Sequence, residues 1–288
     1  MTAGKSKHSS SGARREVGKD ARIAILGAGK MGGILSQAFL KRGLFKPEQA
    51  CATVQHAEKA QLLTKSLGIR VITDNLQAVR QADIVLVCVK PQVVRSVIEQ
   101  IRPALSPAKL IVSIAASVPT SYIEKAAPSG VPVVRAMPNT PCFVGCGMTS
   151  VCGGEHANAD HLETARKLFE AVGRSVIVDE KHMDAVTGLS ASGPAFIYII
   201  LESLAEAGVK VGLPRDLATL LSAQTVLGAA RMVLDTGDHP ALLKEAVTTP
   251  AGCTIDGILE LEDGKLRVTL IKAVVKAAER AKELLIQS

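Results

Sequence analysis

Gly27-Ala28-Gly29-Lys30-Met31-Gly32 fits G-x-G-x-x-G. Such a run makes a tight turn, lets backbone approach a diphosphate and packs the next helix closely on its strand. Free N–H groups at that helix start would face the negative charge. An NAD site carries Asp or Glu at the end of the second strand, to accept from the ribose 2′-hydroxyl. Here the stretch reads Ala52-Thr53-Val54-Gln55-His56, and the first carboxylate, Glu58, falls on the following helix. Thr53, Gln55 and His56 can hydrogen-bond a 2′-phosphate and Lys59 can add charge, so NADPH is expected, with NADH as a weaker donor. Near the C-terminus Gly252-Cys253-Thr254 precedes an expected helix over 255–262, whose first N–H groups suit a small anion. Thr254 suits the N-cap of that helix. No His/Asp or Ser/Lys constellation is evident. Cys142, Cys146, Cys152 and His156 lie close together but lack paired C-x-x-C spacing. Buried reduced thiols are the expectation there, with no metal.

These segments need elements to place them. Residues 22–26 form a short apolar run that suits a buried parallel strand, and helical spacing over 30–42 ends at Gly43. The alternation continues. Strands are expected over 49–54, 70–72, 83–89, 109–114 and 131–137. Helices are expected over 57–66 and 74–81, after Pro91 and after Pro119, with Asp74 as a cap. That alternation implies a parallel sheet covered on both faces. A strand over 147–152, a helix over 159–172 and a strand over 175–178 extend the domain. After Asp179 strand-like runs stop, and 182–212, 215–236 and 265–287 read as long helices rich in Ala, Leu and Val. Gly193-Pro194 should kink the first. Helices apolar on more than one face need a partner, and a second copy is the economical one. The division is thus 1–20, a disordered basic tail; 21–180, the dinucleotide-binding domain; and 181–288, a helical domain.

Apolar residues are 47% of the 288-residue chain and aromatics 2%, so the core is aliphatic and stacking platforms for single-stranded nucleic acid are missing. Part of the +7 net charge sits in the tail, where Lys5, Lys7, Arg14, Arg15 and Lys19 outweigh Glu16 and Asp20. The rest is too diffuse to indicate DNA. No apolar run is expected to reach membrane-spanning length, and neither a membrane nor a nucleic acid is expected as partner. Six scattered cysteines suit a reducing, cytoplasmic setting.

Five segments together are specific. They are Val89-Lys90-Pro91-Gln92, Ser113-Ile114-Ala115-Ala116-Ser117, Met137-Pro138-Asn139-Thr140-Pro141, residues 184–194 (DAVTGLSASGP) and residues 249–255 (TPAGCTI). In this order and at these separations the chain resembles the pyrroline-5-carboxylate reductases. The resemblance implies an N-terminal α/β, Rossmann-like dinucleotide-binding domain and an all-α dimerisation domain, assembled as a homodimer and then as rings of dimers. It implies NADPH-dependent reduction of 1-pyrroline-5-carboxylate, a cyclic imine carboxylate, to L-proline, the last step of proline biosynthesis. It also implies that Asn75 holds the adenine-side ribose and Thr53 the 2′-phosphate. Val89, Lys90 and Pro91 would lie along the nicotinamide half, with Ala115, Ala116 and Asn139 lining it. Thr249, Gly252, Cys253 and Thr254 would hold the substrate, with the Thr254 hydroxyl as the catalytic candidate, hydrogen-bonding the ring nitrogen unless Thr254 serves only as an N-cap. Ser117, Ala191 and Ala251 stand where that family often has Gly, and Phe196 where it often has Tyr. A β-hydroxyacid dehydrogenase shares the outline but places a lysine soon after the start of its second domain. Here Ala195-Phe196-Ile197-Tyr198 follow, and no lysine occurs before Lys210. A catalytically silent NADP-binding protein is the remaining alternative.

Overall fold

The computed structural model describes residues 21–286; the tail 1–20, expected to be disordered, lies outside them. Within the described residues an eight-stranded sheet has the order β3-β2-β1-β4-β5-β6-β7-β8. The strands are β1 Ile23–Leu26, β2 Ala50–Thr53, β3 Arg70–Ile72, β4 Ile84–Val87, β5 Leu110–Ser113, β6 Val133–Met137, β7 Gly147–Gly153 and β8 Gly173–Ile177. Continuous apolar runs such as IAIL and IVLV are buried at every position because helices cover both faces. On one face pack α1 (Lys30–Lys41), α2 (Ala57–Leu67) and α6 (Ala159–Glu170), through Leu35, Phe39, Ala60, Leu168 and Phe169. On the other pack α3 (Asn75–Arg80), α4 (Val94–Ile101) and α5 (Thr120–Ala126), through Val79, Val94, Ile98, Ile101 and Ile123. Asp74 caps α3 as its position suggests, accepting from the Gln77 N–H at 3.0 Å.

The sheet is not parallel throughout. β1 to β6 run parallel, β7 pairs antiparallel with β6, and β8 follows β7. A parallel return needs a crossover of about a dozen residues or more, and the link 138–146 is too short for one.

The helical domain starts with a 3₁₀ turn, Glu180–His182, and α7, Met183–Val186. It continues through α8 (Gly193–Lys210), α9 (Arg215–Thr236), α10 (Pro240–Ala246), α11 (Cys253–Asp263) and α12 (Leu266–Ile286). The sequence reading missed α10. The irregularity expected at Gly193-Pro194 sits one turn earlier, as a π-helical turn over Thr187–Ala191. Pro194 has no N–H to give the carbonyl four residues back, and the Ser192 N–H reaches the Thr187 carbonyl instead, at 3.0 Å. Gly188 lets this turn lie against α12, since a Cβ there would meet the Val274 carbonyl oxygen at 2.7 Å.

Helices α8 and α9 carry exposed apolar side chains on more than one side. Ile199 is 63% exposed, Leu220 65% and Leu227 57%. Residues 180–210 and 215–236 are long and apolar enough to cross a membrane by length and composition, so the expectation that no stretch reaches that length does not hold.

Candidate functional site

Strand order reverses between β1 and β4, and ligands of open α/β sheets bind outside the carboxyl ends of the strands at such a point. The glycine run lies there. Gly27 has φ +93°, and a Cβ on it would meet Val89 Cγ1 at 2.9 Å. A Cβ on Gly32 would sit 2.3 Å from the Gly27 carbonyl oxygen, so α1 packs against the turn only with glycine at that position. A Cβ on Gly29 would have open space around it. Gly29 is the N-cap of α1 without a side-chain cap, and the exposed Lys30 follows. Ala28 is buried, its N–H donating to the Thr53 carbonyl at 2.7 Å, and Met31 is half-buried. The residues therefore fit a diphosphate, with backbone approachable at Gly29 and a helix N-terminus facing the opening.

Thr53 departs from its expected role. It is 2% exposed, its hydroxyl donates to Asn75 Oδ1 at 2.6 Å, and its Oγ1 accepts from the Gly27 N–H at 3.2 Å. With both functions taken and the side chain inside, Thr53 holds the glycine turn rather than a phosphate. The exposed polar residues at this edge are Gln55, His56, Glu58 and Lys59, at the N-terminus of α2, which has no side-chain cap. Asn75, the first residue of α3, is half-buried.

Along the other half of the edge, Val89 packs on the glycine turn, the exposed Lys90 caps a short turn, and Pro91 opens it ahead of α4. Ala115 is buried, and Ala116 packs half-buried with Met137, Met183 and Ala191, where the two domains meet. Asn139 bridges that seam. Its Oδ1 accepts from the Met148 N–H at 2.9 Å and its Nδ2 donates to the Ser190 carbonyl at 3.1 Å. The Ser190 carbonyl is the one that Pro194 cannot satisfy. Asn139, expected to line the cofactor, is thus placed to fasten the domains.

A second fastening was not foreseen. Arg135, on the interior strand β6, is 3% exposed. Its guanidinium lies 3.6 Å from Glu180 and 3.7 Å from Asp184. The Glu180 carboxylate also accepts from the Thr120 N–H at 2.8 Å and from its hydroxyl at 2.7 Å, at the start of α5. The available signal was a lone arginine in the apolar strand VVRAM. Nearby, burial and then the Glu180 charge push the Cys152 thiol up to about 12. Burial likewise raises the Cys142 thiol. Cys146 is exposed, and the described residues hold no group of three or more His, Cys, Asp or Glu arranged to bind a metal.

Between the domains lies an open cleft that includes Lys30, Thr140, Ser192, Pro194 and Tyr198. None of Thr249, Gly252, Cys253 and Thr254 lines it. That loop turns tightly, with the Gly252 N–H donating to the Thr249 carbonyl at 3.0 Å and Ala251 at φ +58°. Gly252, not Thr254, is the N-cap of α11, and no side chain caps it. The N-cap role weighed for Thr254 is therefore excluded. Ser117, also at a position where glycine is common in the resembled family, has φ +61°, whereas Ala191 lies in the π-helical turn.

Among curated relatives, a pyrroline-5-carboxylate reductase of Methanosarcina acetivorans is 46% identical, covering 91% of this chain and 97% of its own length. The chain belongs to the pyrroline-5-carboxylate reductase family. The Arabidopsis thaliana member is 41% identical over 91% of this chain and 95% of its own. Residues 180–284 match the family described as pyrroline-5-carboxylate reductase dimerisation, and 22–117 match NADP oxidoreductase coenzyme F420-dependent. A solved reductase from Coxiella burnetii superposes with a TM-score of 0.85 at 37% identity, covering 92% of this chain and 98% of that one. A Plasmodium falciparum pyrroline carboxylate reductase with NADP bound gives 0.83 at 30% identity, covering 92% and 98%. The segment that matches the dimerisation family contains α8 and α9, whose apolar faces are exposed within one chain.

Proposed function

We propose that this chain reduces 1-pyrroline-5-carboxylate to L-proline, the last step of proline biosynthesis, with NADPH as donor and NADH as a weaker one. The observation that carries the reading is the cleft in which the N-terminus of α1 and the start of the helical domain face each other. A carboxylate-bearing cyclic imine and a dinucleotide can meet there. Bound at the glycine turn, the cofactor supplies the hydride that the imine carbon accepts. A protonated C=N is already electrophilic, and its nitrogen keeps that proton as the amine forms. The protein therefore has mainly to position the reactants. The Cys253 and Thr254 N–H groups at the start of α11 hold the substrate carboxylate. The Thr254 hydroxyl, which makes no hydrogen bond among the described residues, meets the ring nitrogen.

Because this loop does not line the cleft of its own chain, it serves the cleft of the partner subunit in a homodimer. Dimers assemble further into rings. Gln55, His56 and Lys59 receive the 2′-phosphate, since no carboxylate stands at the end of β2. Six unpaired cysteines accord with a cytoplasmic enzyme. The test is loss of NADPH absorbance on adding the imine, across a panel of cyclic imines. A chain that binds NADPH yet consumes none with any of them would be a silent dinucleotide-binding protein.

A further inference from the structure

A line of hydrogen bonds runs along the carboxyl edge of β1, β2 and β3 and ends on α4. The Gly27 N–H donates to Thr53 Oγ1, the Thr53 hydroxyl donates to Asn75 Oδ1 at 2.6 Å, and Asn75 Nδ2 donates to Gln100 Oε1 at 2.8 Å. The direction is set by the buried end. A backbone N–H can only donate, so Thr53 Oγ1 accepts it, and the hydroxyl proton needs an acceptor of its own. A separation of 2.6 Å suits O–H···O and is short for N–H···O. The Asn75 oxygen therefore faces Thr53, and its NH₂ faces away from the turn. Gln100 takes one of the two N–H bonds, leaving the other for a ligand.

We infer that Thr53 and Gln100 are positioning residues that determine cofactor specificity, by locking the Asn75 amide as a donor toward the adenine-side ribose. This rests on the proposed use of NADPH. A phosphate near neutral pH offers almost only acceptors, so it gains from an N–H and loses from an amide oxygen turned toward it. A ribose hydroxyl can donate or accept, so either orientation of the amide suits it equally. The lock thus favours the phosphate-bearing cofactor and leaves the other nearly untouched.

Dissociation constants of adenosine 2′,5′-bisphosphate and adenosine 5′-monophosphate, measured on the full chain, test this. Their ratio reports recognition of the 2′-phosphate alone. Thr53→Val removes the hydroxyl at nearly constant volume and should lower the bisphosphate preference by roughly tenfold, the worth of one charge-assisted hydrogen bond. Thr53→Ser should retain it. Gln100→Leu, at an exposed position on α4, should lower it by several-fold and decides alone if the valine variant does not fold. Equal weakening of both ligands, or no change in the ratio, in the variants that fold would overturn the inference while leaving NADPH use intact. A wild-type chain with no preference for the bisphosphate would overturn both.

Discussion

Thr254 occupies the second position of α11, with Gly252 as the cap. Its substitution therefore separates chemistry from stability. Thr254→Ala should leave the melting temperature almost unchanged while kcat/KM for the imine falls about tenfold or more, and Thr254→Ser should keep most activity. Normal turnover in the alanine variant would remove the hydroxyl from the mechanism. Ser117 makes the opposite case. It is a non-glycine residue at φ +61°, and its buried hydroxyl has no hydrogen-bond partner. The left-handed conformation costs an L-residue about 1–2 kcal/mol, and the unpaired hydroxyl adds desolvation. Glycine gives back about 1 kcal/mol through the freer unfolded chain. Ser117→Gly should therefore stabilise by about 1 kcal/mol, read as a rise in the denaturant midpoint. A fall would show that the strain is compensated locally.

Among the elements, the turns and caps were legible because their determinants lie within a few residues of one another. Asp74 capping α3 and the glycines around α1 are of this kind. The joints were not legible. Asn139 meets Ser190 across 51 residues and Thr120 meets Glu180 across 60, and such pairs exist only once two domains dock. Thr53 was misread for a related reason. A polar residue at a strand end looks alike whether it turns outward to a phosphate or inward to the neighbouring strand. The reversal at β7 was open to deduction, since its linker is too short for a crossover. Of the joints, the one at Arg135 should matter most to stability. Arg135→Ala leaves the partly exposed Asp184 without its partner and Glu180 held only by Thr120, and should destabilise by about 1–2 kcal/mol in chemical denaturation. A loss under about 0.5 kcal/mol would mean that the pairing is incidental.

For the whole molecule, the composition forecast the assembly. Helix α9 buries almost none of its leucines within one chain, and an isolated helical domain would present that surface to water. The intact chain should sediment as a dimer or a larger multiple. A well-behaved monomer at micromolar concentration would contradict this.

That the Thr249–Thr254 loop does not line the cleft of its own chain has a counterpart in complementation. If each loop serves the neighbour's cleft, two different defective chains can rescue one another. A chain with Gly29→Asp, spoiled at the diphosphate turn, and a chain with Thr254→Ala would each make poor homodimers. Unfolded together and refolded at equal ratio, half the molecules should be hybrids. Each hybrid would pair a sound turn from one parent with a sound loop from the other at one of its two clefts, and would carry both lesions at its second. Activity should climb to about a quarter of the wild-type level by statistical pairing alone. If the loop instead served its own chain, every cleft in every hybrid would keep one lesion, and mixing would restore nothing.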